Sequence, residues 1–156
     1  WAFEVLHDLG VKYDASIFPA NREDGGFDDF SESTPSIIRY NGVQIKEFPM
    51  SINNFLGRMF TVTGGGYFRF FPYRLIRRII ADSNYTMTYF HPRDFDPHQP
   101  VLENLPLVRK FKSYVGLKHS FSKFQRYTKD FDFISLKEAS KKIDWNKTDT
   151  IIFDDK

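Results

Sequence analysis

The 156-residue chain contains no cysteine. That excludes a disulfide framework, a thiolate metal site and a cysteine nucleophile. It also lacks a strong charge of either sign. The formal net charge is +2, a balance that points to no special partner and gives no reason to expect nucleic-acid binding. Its apolar runs fall far short of the roughly 20 residues that a membrane-spanning helix needs. Internal repeats and low-complexity tracts are missing, and no linker divides the chain. One domain is therefore expected.

Several motifs are missing too. His7, His91, His98 and His119 are scattered, and no two stand at a ligand spacing such as His-x-x-x-His. The glycine triplet at 64–66 is followed by neither the Gly-Lys-Ser/Thr of a P-loop nor the spacing of a dinucleotide fingerprint. There is no Gly-x-Ser-x-Gly.

The opening "WAFEVLHDLG" has no initiator methionine and no signal-peptide pattern. It reads as a helix already under way, with Trp1, Val5, Leu6 and Leu9 on one face and Gly10 as its stop. No capping residue precedes Trp1. The expectation is a piece of a longer chain, which leaves the compartment open.

What is present is a globular composition. Hydrophobic residues make up 41% and charged residues 27%, enough apolar material for a packed core. The 18 phenylalanines fit a filled core, a sugar-stacking surface, or both.

Along the chain, "VKYDASIFP" reads as a short strand ended by Pro19, and residues 20–36 as a long polar surface loop. "IIRYNGVQIKEFPMS" reads as a hairpin about Asn41-Gly42. "PYRLIRRIIADSN" reads as a helix, with Pro72 in its first turn and Leu75, Ile76, Ile79 and Ile80 as its apolar stripe. "YTMTYFHP" is the next predicted strand, followed by helices near 107–115 and 120–130, a strand in "DFDFISL", and a short helix in "KEASKKI". A loose tail is expected over 145–156. Strands alternating with helices predict an α/β fold with parallel strands.

In barrels of βα units, chemistry sits at the C-terminal ends of strands. Asp14, the "GGGYFR" segment and His91 all fit that description. His91 is followed by Pro92, which fixes the chain as it leaves the strand, and by Asp94, close enough to orient an imidazole. The alternative is a histidine that only satisfies a backbone group. Asp14 alone reads equally as a turn-forming carboxylate. The glycines permit a close backbone approach, to a ligand or to another chain segment, or form a flexible loop. Tyr67 and Phe68 offer stacking faces, and Arg69 offers directional donors.

Taken in order, "LGVKYDASIFP", "EFPMS", "GGGYFRFFPY" and "TYFHPRDFDP" resemble the polysaccharide deacetylase (NodB-homology) family, in the branch found with bacterial exopolysaccharide loci. The resemblance covers about Trp1 to Phe133. It implies the C-terminal part of a distorted (β/α) barrel and a metal-dependent hydrolase that removes N-acetyl groups from a polysaccharide. A divalent metal, zinc in most relatives, would polarise the carbonyl and activate water, bound by residues absent from this chain.

His91 matches the family's late-strand general acid, and Asp14 its motif aspartate. Gly65, Gly66, Tyr67, Arg69 and Tyr89 would contact substrate, with Tyr89 where relatives often carry a leucine. Arg93-Asp94 stands where many relatives have Trp-Glu. The family's Asp-Asp pair, His-x-x-x-His and catalytic arginine match nothing here, so the chain reads as the C-terminal half of such a domain, with no metal ligands of its own. Open barrel edges would then favour a homodimer. The competing reading is a deacetylase-like module that grips glycan without catalysis.

Overall fold

The computed structural model describes residues 1–19, 33–55 and 58–153. Residues 20–32 of the predicted surface loop and residues 154–156 of the predicted tail lie outside these. The chain forms two compact units: one comprises Trp1–Ser51 with Ile134–Lys156, the other Ile52–Phe133.

The first unit is a mixed sheet with helices. Helix α1 (Ala2–Asp8) ends where Gly10 takes a positive φ of 72°. Strand β1 (Tyr13–Asp14) pairs in parallel with β3 (Val43–Glu47). Strand β2 (Ser36–Tyr40) pairs antiparallel with β3 through the predicted hairpin. Asn41 (φ 45°) and Gly42 (φ 83°) both occupy the left-handed region, which a two-residue turn of this hand requires. Strand β6 (Thr150–Phe153) pairs in parallel with the other side of β2. The strand order is β1-β3-β2-β6. This open, partly parallel sheet bears out an α/β architecture, but the described residues close no barrel.

Three sequence expectations need correction in this unit. The tail is not loose throughout, because Thr150–Phe153 completes the sheet and Trp145 packs edge-on against Phe48, centroids 5.6 Å apart. "DFDFISL" forms no strand; Ser135 instead caps α6 (Leu136–Lys142), exchanging backbone-to-side-chain hydrogen bonds with Glu138 in a capping box. In α1 the predicted face is mostly exposed: Trp1, Val5 and Leu9 face solvent, and only Leu6 is half-buried. Phe3 packs instead, stacked on Phe153 at 5.9 Å and tilted on Tyr40 at 6.2 Å, beside a core of Ile17 and Ile38.

The second unit begins with a small hairpin, β4 (Asn53–Phe55) and β5 (Arg58–Phe60). The glycine triplet opens helix α2 (Gly65–Phe70) and is no flexible loop. Helix α3 (Tyr73–Ala81) follows as predicted and buries Tyr73, Ile76 and Ile80. The segment expected as a strand over 85–91 makes a single parallel bridge, Gly64 to Tyr89. Tyr89 N–H also donates to the Thr63 carbonyl, and the Thr63 hydroxyl to the Met87 carbonyl.

A 3₁₀ turn (Pro92–Phe95) and helices α4 (Leu107–Tyr114) and α5 (Leu117–Asp130) complete the unit. Val62, Phe68, Tyr73, Ile76, Ile80 and Tyr127 form its core, with Phe60, Phe90 and Phe124 packed against it. Edge-to-face contacts recur among these rings, as in Phe68–Phe90 at 4.8 Å and Phe90–Phe124 at 5.3 Å. Much of the aromatic excess is therefore core, each pair adding about 0.5–1.5 kcal/mol beyond burial.

Candidate functional site

His91 ends the extended run of the second unit. Alternation along extended backbone puts Tyr89 and His91 on one face and Phe90 on the other. Phe90 goes into the core. Tyr89 and His91 stay half exposed, at 53% and 52%. The Tyr89 hydroxyl lies 3.0 Å from His91 Nε2, and the two rings meet edge-on with centroids 4.7 Å apart.

Behind the imidazole stands Asp94. One of its oxygens, Oδ2, accepts the His91 backbone N–H at 2.9 Å and lies 3.8 Å from His91 Nδ1. The other, Oδ1, lies 3.4 Å from Arg69 Nε. Asp94 and Arg69 are both buried. Burial pulls the Arg69 guanidinium downward from its usual range, and the Asp94 carboxylate opposes that pull. A buried charge holds its place only when paired and hydrogen-bonded. Here Nη1 and Nη2 of Arg69 donate to the carbonyls of Lys112 (3.1 Å), Ser113 (2.7 Å) and Val115 (3.3 Å), at the end of α4, while Nε faces Asp94 as an ion pair and makes no hydrogen bond. Arg69, expected as a substrate donor, gives its Nη groups to the fold, and its reach toward His91 runs through Asp94.

Gly64 and Gly66 provide the close approach. A Cβ on Gly64 would collide with the Tyr89 carbonyl oxygen, and one on Gly66 would stand 3.0 Å from the Lys112 carbonyl oxygen. The near neighbours are thus other chain segments. Gly65 takes a positive φ of 54° with open space around it, a conformation that favours glycine. Tyr67 packs edge-on against Phe60 at 5.1 Å. Lys123 donates to the carbonyls of Phe68, Arg69 and Phe71 at 2.8–2.9 Å. It closes the C-terminal end of α2, and burial lowers its pKa.

Asp14 belongs to the first unit. It ends β1, accepts a 2.6 Å hydrogen bond from the Ser16 hydroxyl, and pairs in register with Glu47 of β3. Glu47 is fully buried. Its Oε1 accepts the Ile17 N–H at 3.1 Å, while Oε2 has no donor. Burial first, then the charge of Asp14, pushes the Glu47 carboxyl up to about 8. At neutral pH Glu47 therefore holds its proton. Sequence reading did not single out Glu47. The available signal was its alternation with Ile45, which puts a carboxyl on the buried face of β3.

Among the described residues, no group of three or more His, Cys, Asp or Glu converges to hold a metal ion. The donors present do not fit the metal centre that the family resemblance implies. No helix among the described residues is long and apolar enough to cross a membrane.

The family model described as "Domain of unknown function (DUF3473)" matches residues 15–141. The match takes in Gly65, Gly66, Tyr67, Arg69, Tyr89, His91 and Asp94, and begins one residue after Asp14. No curated protein and no solved structure matches the chain. With the greater part of its length matched, the chain belongs to the DUF3473 family.

Proposed function

We propose that this chain is the C-terminal part of a polysaccharide deacetylase barrel, and that His91 is its general acid. The observation that carries the reading is the connected series Tyr89, His91, Asp94 and Arg69. It leaves a half-exposed imidazole with Nε2 against the Tyr89 hydroxyl and a buried carboxylate on its Nδ1 side. A histidine so backed holds its ring in place and favours a proton on Nδ1. When charged, it carries a second proton on Nε2, available to an amine leaving group as the C–N bond breaks. The ordered motifs resembling the deacetylase family support the same reading.

In that family a divalent metal supplies carbonyl polarisation and water activation. Its ligands are assigned here to residues outside this chain, and this chain contributes the proton transfer. Asp14 and its partner Glu47 supply a second acidic centre. The outermost strands of the open sheet among the described residues are β1 and β6, and unpaired edges of that kind favour association of two copies; a monomer by light scattering would count against that part.

The test is acetate release from an N-acetylated oligosaccharide by the protein carrying this chain. Zinc-dependent release that falls by about 10²-fold or more in His91→Ala supports the enzyme. No release, with glycan binding intact in the same variant, supports the binding module instead.

A further inference from the structure

The second unit presents an apolar face that its own core does not use. On α4, Leu107, Val108 and Phe111 are 85%, 67% and 55% exposed. They stand at helical positions i, i+1 and i+4, which is one side of the cylinder. The side chain of Phe70 meets Phe111 with centroids 5.8 Å apart and is itself exposed. The Tyr114 hydroxyl accepts the Leu102 N–H at 2.9 Å and donates to the Pro100 carbonyl at 3.0 Å. That ties the loop bearing exposed Val101 and Leu102 to the same helix.

Charge is the second observation. Between Glu103 and Asp130 the chain has no acidic residue, and places lysine or arginine at 109, 110, 112, 118, 123, 126 and 129. At about 100° per residue, Lys110 and Lys112 fall on either side of the Leu107–Val108–Phe111 face. In a protein of net charge +2, this is a local concentration of one sign.

We propose that this face docks on an anionic lipid bilayer, with α4 lying in the plane of the interface. Aliphatic side chains enter the boundary of headgroup and acyl chain, and flanking lysines reach the lipid phosphates. Sugar polymers are the less fitting occupant: they are gripped by flat rings, and most of this face is leucine and valine. Basic groups near an anionic bilayer each tighten binding about fivefold.

The experiment is co-sedimentation of the protein with vesicles of phosphatidylcholine alone and of phosphatidylcholine mixed with phosphatidylglycerol. Binding to the mixed vesicles only, weakening as salt is raised, is the expected result. Lys110→Gln with Lys112→Gln should weaken it by roughly tenfold or more. Leu107→Ser, Val108→Ser and Phe111→Ser together should abolish it in a variant that circular dichroism shows still folded, its midpoint lowered only by the lost Phe70–Phe111 contact and the weaker helix propensity of serine. Absence of binding to the anionic vesicles overturns the proposal. So does binding unchanged in the serine variant, or equal affinity for a soluble anionic polysaccharide. Light scattering that shows a dimer broken by the same variant also overturns it, by giving the face to a second copy.

Discussion

The phenol oxygen of Tyr89 sits 3.0 Å from Nε2 of His91, joining two side chains that alternation along extended backbone brings to one face. The contact is exposed, so its worth to stability is small, and its consequence is the orientation of the ring. Tyr89→Phe should change stability by no more than about 0.5 kcal/mol and lower acetate release by roughly fivefold. Nitrogen NMR of the imidazole should register the lost contact at Nε2. An unchanged Nε2 signal would mean that the hydrogen bond is not formed in solution.

Arg69 gives the opposite expectation. Its substitution leaves the buried Asp94 carboxylate without its cation and three carbonyls without donors. Arg69→Leu should cost about 3–5 kcal/mol, read from urea unfolding. Arg69→Lys should recover only part, because an ammonium cannot reproduce the fork. A loss of glycan affinity with full stability would restore Arg69 as a substrate contact.

The Glu47 carboxyl makes stability depend on pH. Its folded pKa of about 8 lies above the ordinary glutamate value of 4.5. Between those values the folded state holds more protons than the unfolded one, so stability falls as pH rises through that window and levels off above it. Glu47→Gln keeps the neutral geometry and cannot ionise. It should remove that fall and leave the variant more stable than wild type at pH above 8, by on the order of a few kcal/mol. Thermal unfolding at a series of pH values reads this directly. Parallel curves for the two proteins would show that Glu47 is ionised throughout.

Gly64 has an extended backbone, with φ −168°, so its constraint is space and not conformation. Gly64→Ala drives a methyl group into the Tyr89 carbonyl and should cost about 1–3 kcal/mol or more. The His91 imidazole signals should shift with it, because His91 follows on the displaced segment. Stability equal to wild type would contradict the close approach.

How much of this was legible in sequence follows the range of the interactions. The Asn41-Gly42 hairpin and the Pro72-led helix are set by a few neighbouring residues, and both were read correctly. Partners distant in sequence were not legible. The strand Thr150–Phe153 looked like a tail because its pairing partner, β2, lies more than a hundred residues earlier. Arg69 looked like a ligand donor because its true partners belong to α4 and the 3₁₀ turn. Glu47 left a signal in its alternation with Ile45, but its partner Asp14 came only with the parallel pairing of β1 and β3. The run ending in His91 was recognised as extended, but its bridging partner Gly64 came from a segment with no strand pattern.

The central claim is that His91 protonates a departing amine. The most direct measurement compares wild type and His91→Ala on two substrates: an N-acetylated oligosaccharide, and an aryl acetate whose nitrophenolate leaves without a proton. The account predicts a loss of about 10²-fold or more on the amide and little loss on the aryl ester. Equal losses on both substrates, or none on the amide, would contradict it.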